Sequence, residues 1–87
     1  MPIESELLSQ TRRYLNAEID FEDLISWVQD HEEDWARFPL ESDTNQLASG
    51  IMLSAYEVER GDRAETSVKE LLAADIARMA SRIARSG

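Results

Sequence analysis

The chain has no cysteine, one histidine, two prolines and three glycines among its 87 residues. Each scarcity excludes something. Without cysteine there are no disulfides and no thiolate metal sites. A zincin helix needs two histidines four residues apart, and a di-iron bundle needs two Glu-x-x-His pairs, so a single histidine excludes both. No sustained apolar/polar alternation occurs, and no Asn-Gly or Asp-Gly pair marks a hairpin, so strands are not expected. No uncharged run is long enough to span a bilayer. The start, MPIESELL, has no basic segment followed by an apolar run and does not read as a signal peptide. The expectation is a soluble, cytoplasmic protein of one domain with no cofactor.

A domain this small buries only roughly 60–65 % of its unfolded surface, so its stability margin is thin. Such chains draw on disulfides, metals or association. With no thiols available, oligomerisation or partner binding is what remains.

Basic residues are also scarce, and unevenly so. Residues 1–44 hold 12 acids and 3 bases, whereas residues 45–87 hold 6 of each, so the whole net charge of −9 lies in the first half. Such a surface repels nucleic-acid phosphates and anionic lipid headgroups. It attracts a basic protein and speeds the encounter. The plainer reading is that the acids keep a small protein soluble.

What is present is helical periodicity, enough for an all-α fold: a compact bundle of about four helices in a single domain. The first helix is expected from Pro2 to Leu15, with Ile3, Leu7, Leu8, Thr11, Tyr14 and Leu15 on its apolar side. Asp20 is expected to cap the second, with Asp23 three residues on making a weaker relative of the capping box. There Phe21, Leu24, Val28, His31, Trp35 and Phe38 recur at three- and four-residue steps, which predicts one helix to about Arg37, stopped by Pro39. A break near residues 30–32 is the alternative.

The third helix, about residues 45–60, is capped by Asp43 or Thr44 and closed by Gly61. Its stretch QLASGIMLSAY, Gln46 to Tyr56, carries no charge. Leu47, Ile51, Ala55 and Val58 make one face, while Leu53 and Tyr56 point away from it. A helix apolar on both sides is buried on both sides, which makes Leu53 and Tyr56 candidate contacts of a homodimer. The fourth helix, from near Ser67 to Arg85, carries a seam of Leu72, Ile76, Met79 and Ile83. Beside it runs a parallel row of Ala73, Ala77, Ala80 and Ala84, a second candidate dimer contact. Alanine is also simply the best helix former.

The cluster Asp30 to Asp34 is the most site-like feature. Its acids point in different directions around a helix, the pattern of a solvated face, and His31 falls on the apolar stripe. The stretch has neither the alternating ligands nor the central glycine of an EF-hand loop. Arg60-Gly61-Asp62 is accounted for by a helix end. The remaining signal is Trp27, at the edge of the stripe beside Asp23, Asp30 and Asp34. A tryptophan rimmed by acids suits a basic protein partner, because binding hot spots favour aromatic anchors inside polar rims. The competing reading places all the aromatics of this segment in the core.

The stretches YLNAEIDFEDLISWV and AYEVERGDRAETSVKELL resemble a loose set of small, mostly uncharacterised bacterial helical proteins. The likeness spans most of residues 14–72 and rests on helix boundaries and core positions. Some small acidic helical proteins of this kind neutralise toxins. The colicin-nuclease immunity proteins are similar in size, charge and helix content, although the tyrosine-rich segment between their helices is missing here. The resemblance implies a non-enzymatic protein-binding module of immunity or antitoxin type, using the segment 21–38. The alternatives are a structural homodimer without a client, and a small enzyme or metal protein built on Asp30, His31 and Asp34.

Overall fold

A computed structural model describes residues 3–86, with side chains for residues 3–82. Five helices follow in order: α1 (Ile3–Leu15), α2 (Phe21–Asp30), α3 (Glu32–Trp35), α4 (Asp43–Glu59) and α5 (Glu65–Ser86). No strand occurs among the described residues. The radius of gyration is 12.4 Å, close to the roughly 12 Å of a compact chain this long. Pro2 lies outside the described residues.

The apolar stripes meet in one core. Leu7, Leu8 and Tyr14 of α1 pack with Phe21, Leu24 and Val28 of α2, Trp35 of α3, Leu47 and Ile51 of α4, and Val68, Leu72, Ile76 and Met79 of α5. Thr11 is buried among them without penalty, because its hydroxyl donates to the Leu7 carbonyl at 2.8 Å. The fold class and the inward faces agree with the periodicity.

The second helix is not continuous. His31 adopts φ −106° and ψ 16°, ending α2 and starting the single turn of α3. Its main-chain N–H and its ring Nδ1 both reach the Trp27 carbonyl, at 3.2 and 2.8 Å. A carbonyl only accepts, so Nδ1 carries a proton there. In an unbroken helix the Val28 carbonyl would take the Glu32 N–H. Here it accepts from the Trp35 indole Nε1 at 2.8 Å. The bend is thus stabilised from the core, and Trp35 keeps its inward place.

Two helix starts are settled by side-chain caps. Asp20 and Asp23 exchange the two hydrogen bonds of the expected capping box, at 3.1 and 3.4 Å. The cap of α4 is Ser42, one residue before Asp43 and two before Thr44: its hydroxyl accepts the Asn45 N–H at 3.2 Å. Thr44 instead donates to Glu4 at 3.1 Å, tying α4 to α1. The last helix begins at Glu65, two residues before the expected start near Ser67. The loop before α4 is held by side chains of α4, with Asn45 Nδ2 donating to the Phe38 carbonyl and Gln46 Nε2 to the Leu40 carbonyl.

Candidate functional site

Seven acids occur between residues 20 and 34, with no lysine or arginine among them. All seven, Asp20, Glu22, Asp23, Asp30, Glu32, Glu33 and Asp34, are exposed. Among the described residues none of them is in an ion pair. The pairs lie elsewhere: Arg13–Glu18, Arg60–Asp62, Arg63–Glu57, Arg78–Asp75 and Arg82–Asp43. The α2–α3 arm therefore concentrates unpaired negative charge, although Glu41, Glu59, Glu65 and Glu70 are also exposed outside these pairs. Charges this close sum to a field that a cationic surface feels beyond contact distance.

Trp27 stands within this arm, half-buried, its ring stacked on His31 with centroids 4.1 Å apart and planes 20° apart. It also lines an open depression of about 320 Å³ with Ser5, Glu6, Ser9 and Gln10 of α1. The stack and the Nδ1 hydrogen bond fix the orientation of both rings. Four of the expected site residues can now be placed. Asp23 and Asp30 are helical neighbours of Trp27, four before it and three after it. Asp34 lies beyond the break, on α3, so the acidic flank does not continue along one helix as the periodicity suggests. Asp23 also has structural work in the cap of α2.

Nothing in this arm converges on a metal. Among the described residues no group of three or more His, Asp or Glu side chains is placed to hold an ion, and Asp30, His31 and Asp34 form no such group.

The expected dimer residues divide. Leu53 and Tyr56 do face outward, 61 % and 56 % exposed. Ala73 and Ala77 are exposed on α5 and Ala80 is half-buried, while the Ala84 side chain lies outside the described residues. Leu40, in the loop before α4, is 77 % exposed and escapes periodicity altogether, because it belongs to no helix.

One feature invisible in the sequence is the environment of Tyr14. Its ring stacks on Phe21, with Lys69 Nζ 5.3 Å from its centroid, and its hydroxyl is buried without a hydrogen-bond partner among the described residues. Burial pushes its phenol well above the usual tyrosine value, and the negative charge of Glu65 adds to the shift.

No known protein family, curated protein or solved structure matches the chain. Among the described residues no helix is long and apolar enough to cross a membrane.

Proposed function

We propose that the chain is a non-enzymatic binding module of immunity or antitoxin type, which holds a basic protein against its α2–α3 arm. The observation that carries this reading is the set of seven exposed acids in residues 20–34, none of them paired with a base among the described residues. Elsewhere five of the eleven other acids are paired with arginines, so the arm differs in gathering seven unpaired acids into one short segment. Trp27, locked against His31, supplies an aromatic centre with acids around it. Long-range attraction would set the rate of encounter, and the Trp27 contact would set the lifetime of the complex.

The test uses a basic protein captured by the full chain, then purified, with association measured across a salt series. Asp30→Asn with Asp34→Asn should slow association and flatten its salt dependence, without changing helicity. Asp23 is left intact because it caps α2. Trp27→Ala should act mainly on dissociation. Association rate and salt response identical to the unmodified chain would refute the reading.

A further inference from the structure

Beside the acidic arm the fold builds a groove that no single stretch of sequence contains. Phe21 and Ile25 of α2 and Ala55 and Val58 of α4 line an open depression of about 460 Å³. Three carboxylates line it too: Glu22 from α2, Glu59 from α4 and Glu65 from α5. They are far apart in the sequence and only packing brings them together. The apolar side chains are buried or half-buried and the carboxylates exposed, so the groove has an apolar floor and an acidic rim.

No lysine or arginine lines this groove. The bases nearest in sequence are engaged elsewhere. Arg60 pairs with Asp62 and lies against Tyr56, and Arg63 pairs with Glu57. Lys69, four residues after Glu65, stands over the Tyr14 ring and lines the neighbouring depression. Among the described residues none of the three carboxylates is in an ion pair. The chain alone thus gathers like charges around an apolar surface, and they repel one another.

We propose that this groove takes an arginine side chain of the basic protein held by the α2–α3 arm. The inference rests on the proposed function and extends the contact surface from α2 onto α4 and the start of α5. Charge complementarity selects the occupant. An uncharged side chain would cover the floor but leave three carboxylates partly desolvated and without a partner. A long basic side chain fits both parts of the groove: its aliphatic stem covers Ile25, Ala55 and Val58 while its charged head stays at the rim. Arginine suits the rim better than lysine. Its guanidinium presents five donors in a rigid plane to several carboxylates at once, and it is less strongly hydrated than an ammonium.

The probe for the test is a capped peptide of six arginines, titrated into the full chain at low salt beside a six-lysine peptide of equal charge. The arginine peptide should shift the methyl resonances of Ile25, Ala55 and Val58, and the lysine peptide should bind about threefold more weakly or worse. Two substitutions on α4 separate the groove from the arm. Ala55→Leu fills the groove without changing charge and should weaken the arginine peptide about tenfold. Glu59→Gln, at an exposed position that leaves folding intact, removes one rim carboxylate and should weaken it about threefold. Asp30→Asn with Asp34→Asn alters the arm alone. Binding weakened by that pair but by neither α4 variant overturns the groove and leaves the arm standing. Binding weakened by the α4 variants alone supports the groove and counts against the arm. Unmoved methyl resonances, or equal affinity for the two peptides, overturn the arginine site.

Discussion

α1 and α4 end in the same turn, built from different residues. After α1, Ala17 N–H bonds to the Tyr14 carbonyl and Glu18 N–H to the Arg13 carbonyl, with Ala17 at φ 63°. After α4, Gly61 N–H bonds to the Val58 carbonyl and Asp62 N–H to the Glu57 carbonyl, with Gly61 at φ 81°. Both are Schellman closures, which need a left-handed residue one position past the cap. Glycine takes that conformation freely, whereas alanine is strained in it. The same contrast separates the two halves more widely. Residues 45–87 have balanced charge and ion pairs such as Arg63–Glu57. Residues 1–44 hold the excess acid, the strained turn, the orphaned Tyr14 hydroxyl and the helix break. At the helix ends local preference and tertiary demand agree in the second half and conflict in the first.

The largest break in that comparison is expected at Trp35. Trp35→Ala removes a buried ring and leaves the Val28 carbonyl without its indole donor, costing about 3–5 kcal/mol of stability. Urea unfolding measures it, and a loss near zero would mean that the core does not hold the bend. The two helix ends come next, with opposite signs. Gly61→Ala should destabilise by about 1 kcal/mol, and Ala17→Gly should stabilise by up to about 1 kcal/mol, the gain being reduced by the greater freedom of glycine in the unfolded chain. Equal signs from the two variants would contradict the difference in strain.

A smaller effect at neutral pH, but a clear one in alkali, is expected at Tyr14. Its folded pKa lies above the ordinary tyrosine value of 10.0. The folded state therefore holds the proton more tightly than the unfolded state. That contribution to stability is intact below pH 10.0 and is lost as pH rises through that value towards the folded pKa. Tyr14→Phe should flatten the alkaline loss and cost little at pH 7, since the Glu65 carboxylate near the buried hydroxyl makes at most a weak hydrogen bond with it. An undiminished alkaline loss in the variant would show that another group is responsible. The smallest contrast is electrostatic. Glu33→Gln, in the unpaired arm, should raise stability by a few tenths of a kcal/mol, whereas Glu57→Gln, which breaks the pair with Arg63, should lower it by no more than about 1 kcal/mol. Thermal melts at low ionic strength would show whether the signs differ.

Sequence periodicity located the inward faces well. Leu7, Leu24, Val28, Leu47, Ile51, Leu72 and Met79 are all buried as their spacing requires. The capping box at Asp20 and the glycine closure at Gly61 were also legible, because both depend on residues within a few positions of one another. The break at His31 was not legible as the preferred path. No proline or glycine marks it, and its inward stripe keeps the same rhythm on either side. The exposure of Leu40 had no periodic signal, and the start of α4 at Ser42 had to be chosen among several adjacent capping residues.

By itself the sequence determined an all-α chain, its buried stripes and the confinement of excess negative charge to residues 1–44. These follow from short-range spacing and from composition. Only the tertiary structure decided that α2 stops at His31, because the Trp35 indole must reach the Val28 carbonyl from seven residues away. It also decided that Gly50 faces open space and that the Tyr14 hydroxyl is buried unpaired. Periodicity says which way a side chain points from its own helix; what it meets there depends on how the helices pack.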